Sequence, residues 1–251
     1  MKRLAALFGT TLTLLIVPAS PAFSQQNRCA DCHFANPMAP AAEHLMEWAR
    51  STHGRNGVGC EKCHGGDADT FETLPAHRGI LNSANPSSPV NERNLAATCG
   101  TCHAGEFVAY QKSRHYELMS KGDFRVPGCT TCHGAAGSRG SSSPKTLESQ
   151  CKQCHNLNGI AKKSEVPEQA RAMYEAVNES RSVLNVAKTL VGRVTDKTRK
   201  AQLEQAYQQA EVPLIQAVQA GHAFVFDDLK ERLLTSRRRI EALLGELANP
   251  K

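Results

Sequence analysis

Apolar and polar positions alternate with a helical period through the second half of the chain. Val166, Ala170, Met173, Val177, Leu184, Ala187 and Val191 form one stripe, the pattern of a helix that buries a single face. Gly192 and Asp196 predict a break after it, and Pro213 a kink or second break. Measured from His222, the residues Phe226, Leu229, Leu233, Ile240, Leu243 and Leu247 recur on one face. His222 is therefore expected in the first turn of a final helix, on its inward side. The positive end of the helix dipole would favour neutral imidazole there. Two or three long helices are expected in residues 161–251. Arg237-Arg238-Arg239 reads as a solvated face complementing the negative end of its helix, with partner docking as the other reading.

The stretch before residue 160 lacks such periodicity. Glycine, proline, serine and asparagine punctuate it, as in Asn82 to Pro89 and Gly134 to Pro144, predicting loops and short helices with no regular sheet. Pro40 to Arg50 is more helical, with Leu45 and Trp48 on one face beside His44. Residues 1–24 read as a secretory signal: basic Lys2 and Arg3, an apolar run from Leu4 to Val17, and Ala22-Phe23-Ser24 as a small-x-small cleavage site before Gln25. Its apolar run falls short of the roughly 18 residues of a membrane span. The mature chain is thus expected outside the cytoplasm, in a bacterial periplasm, with no span left after cleavage.

Composition narrows the class. The 251 residues carry a formal charge of +6; losing Lys2 and Arg3 leaves +4. That weak basicity lacks the clustering of a nucleic-acid binder. The ten cysteines change the picture most. They sort into Cys29-Ala-Asp-Cys32-His33, Cys60-Glu-Lys-Cys63-His64, Cys99-Gly-Thr-Cys102-His103, Cys129-Thr-Thr-Cys132-His133 and Cys151-Lys-Gln-Cys154-His155. Disulfides suit an exported chain, and paired cysteines can build zinc sites. Neither explains a histidine after every pair. The C-x-x-C-H unit attaches a c-type haem: two thiols reach two vinyl groups while the adjacent imidazole becomes the proximal iron ligand. Five covalently attached haems c are expected.

Beyond the proximal His33, His64, His103, His133 and His155, five histidines remain: His44, His53, His77, His115 and His222. Five irons facing five spare imidazoles make complete bis-histidine ligation the simplest fit. His53 and His115 share a repeated phrase, aromatic-x-x-Ser-x-His, in Trp48 to His53 and Tyr110 to His115. Met38, Met46 and Met119 are alternative ligands for one iron. Which distal histidine serves which iron is not fixed by spacing. Residues 25–155 allow about 26 residues per haem, too few for an ordinary core around each. The porphyrins themselves are expected to be the core of a 25–160 domain on which the 161–251 helices pack.

These residues resemble the multihaem c-type cytochromes that include pentahaem nitrite reductases, octahaem hydroxylamine oxidoreductases and the tetrahaem carriers of ammonia oxidation. The resemblance rests on the five C-x-x-C-H units and on Trp48…Ser51-x-His53…Cys60-x-x-Cys63-His64-Gly65. Its echo Ser113-x-His115…Cys129-x-x-Cys132-His133-Gly134 and Gly221-His222 complete it. It implies a mainly α fold, haems in close stacked or perpendicular pairs, and a tail histidine that reaches a haem. All five proximal positions are histidine, whereas the nitrite reductases usually carry C-x-x-C-K at the catalytic haem. The hydroxylamine oxidoreductases need further haems and a cross-linked tyrosine. The implied role is therefore electron transfer between a donor and an acceptor redox protein. One alternative is an oxidoreductase acting on a small nitrogen or sulfur compound at a five-coordinate haem, with Tyr110, Tyr116, Arg114 and Arg125 as pocket residues. A haem wire of chains stacked end to end is another. The 166–191 stripe also suits a homodimer seam, although strict heptads are not sustained through Gly192 and Pro213. Ten propionates would outweigh the formal +4, so charge does not name a partner.

Overall fold

The computed structural model describes residues 27–36, 38, 42–134 and 143–249; the signal segment and most of the Gly134 to Pro144 stretch lie outside them. Thirteen helices run through the described residues, joined by turns and by one isolated bridge between His155 and Ala161. Ten are short: α1 (Arg28–Ala35), α2 (Ala42–Arg50), α3 (Thr52–Arg55), α4 (Glu61–His64), α5 (Thr73–Ala76), α6 (Glu92–Gly100), α7 (Ala104–Gln111), α8 (Arg114–Ser120), α9 (Cys129–His133) and α10 (Pro144–Lys152). Three are long: α11 (Val166–Gly192), α12 (Lys197–His222) and α13 (Phe226–Ala248). The expected mainly α architecture, loop-rich and then built of long helices, is the one observed.

The two halves bury apolar surface differently. Val177 and Leu184 of α11, Ala210, Leu214, Ala217 and Ala220 of α12, and Leu229, Leu233 and Ile240 of α13 make one cluster. Ala187, Val191, Leu203 and Leu243 continue it toward the other end of the bundle. The α11 stripe is thus consumed inside the chain. Among the described residues before 160, the buried apolar side chains are only Ala30, Leu45, Ala96, Ala109, Tyr110 and Met119. A stretch this long normally hides more apolar surface.

The breaks differ in part from the sequence expectation. α11 does end at Gly192, and Asp196 caps α12 by accepting from the Arg199 N–H at 2.7 Å. Pro213, however, does not break α12, which runs through it to His222. A proline inside a helix strands the carbonyl four residues earlier, here that of Gln209. The guanidinium of Arg239 on α13 donates to that oxygen at 2.7 Å, and Ser236 Oγ donates to the adjacent Ala210 carbonyl at 2.8 Å. Donors from the neighbouring helix replace the missing N–H.

That contact also corrects the reading of Arg237-Arg238-Arg239. The run lies mid-helix in α13 and its members diverge: Arg237 reaches Ser180 and Glu179 of α11, Arg238 reaches Thr235, and Arg239 reaches Gln209 of α12. Three successive residues on a helix point about 100° apart, so the run ties α13 to both neighbours.

His222 is corrected as well. It ends α12 and does not begin the last helix. The turn follows at 223–225, where the Val225 N–H donates to the Ala220 carbonyl at 3.2 Å and Phe224 takes a φ of 58°. This is the Schellman type of helix stop, with phenylalanine at the left-handed position that glycine usually holds.

Candidate functional site

Each C-x-x-C-H unit occupies about one helical turn. The histidine N–H donates to the carbonyl of the first cysteine at 2.9 Å from His64 to Cys60, 2.9 Å from His103 to Cys99 and 2.8 Å from His155 to Cys151. The first unit lies within α1, the last straddles the end of α10, and the fourth forms α9 itself. This i to i+4 closure places both thiols and the imidazole along one short arc. Gly65 and Gly134, each with a φ of 76°, stop the turn just past the histidine.

None of the ten cysteines is paired in a disulfide. Among the described residues, no group of three or more histidine, cysteine or carboxylate side chains converges as a metal site. The imidazoles meet in twos. His33 of α1 faces His77, the residue closing α5, with ring centres 5.9 Å apart. His44 of α2 faces His64 of α4 at 6.0 Å, and His53 of α3 faces His103, just ahead of α7, at 6.0 Å. His115 of α8 faces His155 at 6.0 Å, and His133 of α9 faces His222 of α12 at 6.2 Å. Every pair joins one histidine from a C-x-x-C-H unit with one of the spare five. Two metal–imidazole bonds of about 2 Å, plus the distance from each nitrogen to its ring centre, separate ring centres by roughly 6 Å. The residues therefore fit an iron between each pair, with a porphyrin supplying the equatorial nitrogens.

Local structure aims the distal rings. Ser51 caps α3 by accepting from the Gly54 N–H at 3.0 Å, and Ser113 caps α8 by accepting from the Tyr116 N–H at 3.0 Å. Both serines are buried. The aromatic residue three positions earlier is pinned in both phrases: Trp48 Nε1 donates to the Val58 carbonyl at 2.8 Å, and the Tyr110 hydroxyl to the Pro127 carbonyl at 2.7 Å. The repeated phrase is thus a fixed corner that sets His53 and His115 at the second position of a short helix.

Other hydrogen bonds set the tautomer. His77 Nδ1 pairs with the Thr73 carbonyl at 2.7 Å, and His222 Nδ1 with the Val218 carbonyl at 2.8 Å. A carbonyl only accepts, so each Nδ1 carries the proton and Nε2 keeps its lone pair for a metal. For His222 this bond, and not a helix start, orients the ring. Burial lowers the pKa of His64, His115, His133 and His155, and a neighbouring imidazole lowers it further in the first three. Neutral imidazole is the ligating state.

The five units form a row in chain order. Asn27 Nδ2, beside the first, donates to Glu61 in the second at 3.1 Å, and Cys60 lies within electrostatic reach of Cys29. Cys63 is similarly close to Cys102. The Cys99 thiol hydrogen-bonds the sulfur of Cys129. Gln150 Nε2 donates to the Thr131 carbonyl at 2.9 Å, and Cys132 is close to Cys151.

The residues considered as an open-haem pocket have structural partners. Arg114 pairs with Glu117, and Arg125 with Asp123 at 2.8 Å. Tyr110 is bonded as above, and Tyr116 packs edge-on against it. Met38 and Met46 are exposed, while Met119 packs with Tyr110. Phe224, which spacing gave no reason to select, lies edge-on to His115 with ring centres 4.5 Å apart.

Residues 16–65 match the family model "Cytochrome c554 and c-prime". A stretch of 127 residues, 48% of this chain, is 28% identical to the C-type polyheme cytochrome OmcC of Geobacter sulfurreducens (strain ATCC 51573 / DSM 12127 / PCA). The chain covers 16% of that relative's length. No solved structure gives a significant match. The five C-x-x-C-H units, together with these two likenesses, support the resemblance of this chain to the multihaem c-type cytochromes.

Proposed function

We propose that this protein is a periplasmic pentahaem electron carrier in which His33–His77, His44–His64, His53–His103, His133–His222 and His115–His155 are the axial pairs of haems 1 to 5, numbered in chain order of attachment: 1, 2, 3, 4 and 5 respectively. The carrying observation is that all five pairs span 5.9–6.2 Å. A haem c held between two imidazoles supplies a low-spin one-electron couple with no open position for substrate. The chain's own residues do the rest. The cysteines anchor, the pinned corners and backbone acceptors orient the rings, and the row of units offers a path from the α1 end to the α10 end. Electrons would enter from a donor redox protein and leave to an acceptor at exposed edges of that path.

The domain division at residue 160 follows from the same reading: haems fill the first part, and the long helices pack on it through His222 and Phe224. Export is inferred from residues 1–24, and no helix among the described residues is long and apolar enough to cross a membrane.

Two measurements test this reading on the purified holoprotein. Mass analysis should give five attached haems, and the ferric electron paramagnetic resonance (EPR) spectrum should be wholly low-spin. His222→Ala should convert one haem to a high-spin form and leave four unchanged. Fewer than five attached macrocycles, a high-spin haem in the unaltered protein, or an unchanged spectrum in the variant would each overturn the corresponding assignment.

A further inference from the structure

The axial pairs differ in what their second ring nitrogens meet. His77 and His222 each donate Nδ1–H to a backbone carbonyl. His115 and His155 do not: both Nδ1 atoms are buried without a hydrogen-bond partner. Phe224 covers His115, edge-on at 4.5 Å, from a left-handed backbone position with a φ of 58°. Such a conformation is disfavoured for a non-glycine residue and is retained where the surroundings impose it. It lies two residues after His222, so one turn places a ligand toward haem 4 and an apolar lid on a ligand of haem 5.

A histidine that donates its second N–H to an acceptor becomes a more basic ligand and favours the ferric iron. Without an acceptor it favours that state less. Exclusion of water works in the same direction, because the ferric centre carries one more positive charge than the ferrous. The charged neighbours of His155, Lys163 and Glu165, are of opposite sign.

From these observations, and resting on the ligation proposed above, we infer that the His115–His155 pair gives haem 5 a higher reduction potential than haems 1 and 4, so that electrons collect at the α10 end of the row. The step is a single-electron exchange. Haem 4 is oxidised from ferrous to ferric as haem 5 is reduced from ferric to ferrous, with no proton transferred. A donor redox protein supplies the electron and an acceptor redox protein removes it. Phe224 is a positioning residue that keeps the His115 nitrogen dry.

The two haems are separable by spectroscopy, because the His133 and His222 rings lie 11° from parallel while those of His115 and His155 lie 73° apart. Near-parallel axial planes give a rhombic low-spin EPR signal, and near-perpendicular planes a signal with a large maximum g value. His115→Ala and His222→Ala, made separately, each identify a signal by replacing it with a high-spin one, and His77→Ala does so for haem 1. In a stepwise reduction of the unaltered holoprotein with dithionite and mediators, the signal assigned to haem 5 should vanish before those of haems 1 and 4. If the assigned haem 4 or haem 1 signal vanishes first, or together with it, the inference is wrong while the ligation stands. If the alanine variants leave the spectra unchanged, the ligation itself is wrong. Phe224→Asn suits the left-handed backbone and brings a carbonyl or water to His115. It should shift the electron distribution between haems 4 and 5 at least tenfold toward haem 4, equivalent to 59 mV for a one-electron couple. No shift would remove Phe224 from this role.

Discussion

Ser51 and Ser113 show how little of the chain is needed to aim a histidine side chain. Each accepts a backbone N–H at the start of a helix of seven residues or fewer, and each is buried, at 2% and 3% exposure. A short helix has few internal bonds to spare, so its cap carries an unusual share of its stability. Ser51→Ala and Ser113→Ala should each cost about 1–2 kcal/mol, measured by denaturant unfolding of the holoprotein. Ser113→Ala should also broaden the low-spin signal of haem 5, because His115 loses its fixed corner. The repetition of this phrase was legible in the sequence, since serine two positions before histidine and an aromatic residue three before the serine recur as a local pattern. The role of Phe224 was not: its contact with His115 joins positions far apart in the chain, and nothing in the neighbouring residues marks a left-handed backbone.

At the scale of elements, α12 and α13 are joined where the sequence reads as a break. Proline removes one donor, and Arg239 of the facing helix supplies another to the stranded Gln209 carbonyl. The two residues should therefore be energetically coupled. Arg239→Ala is expected to cost about 0.5–1.5 kcal/mol in the unaltered chain, and almost nothing in a Pro213→Ala background, where the restored N–H of residue 213 can bond Gln209. A double-mutant cycle by denaturant unfolding measures the difference; equal costs in both backgrounds would show that the contact does not compensate for the proline. The same elements explain why the His222 reading inverted. Helical spacing continues in phase across 222 and 226, so periodicity alone joined them, while the intervening stop depends on Phe224 adopting a conformation disfavoured for its type.

For the whole molecule, the long helices form an ordinary apolar core, whereas the first part buries few apolar side chains among its described residues. The two are linked through His133–His222 and His115–Phe224. On the proposed ligation, loosening the bundle should therefore release His222. Leu243, 1% exposed, is far from the paired imidazoles in sequence, and Leu243→Ala should destabilise the bundle by about 2–5 kcal/mol. Denaturant titrations followed by far-ultraviolet circular dichroism and by high-spin haem absorbance should shift together in this variant. Separate shifts would mean that the haem part holds His222 independently of the bundle.

The sequence by itself determined the local arrangement of each C-x-x-C-H unit, because it fits within one helical turn and its thiols and imidazole need no distant partner to be brought together. It also determined the long-helix character of the second half, since one-sided burial imposes a period that local order reveals. Only the tertiary structure decided which imidazole faces which. Partners lie from 20 residues apart, as in His44 and His64, to 89 apart, as in His133 and His222. Their meeting depends on how the corners, turns and helix ends between them fold. The differences in hydrogen bonding and burial among the pairs arise from that same packing, which no spacing along the chain encodes.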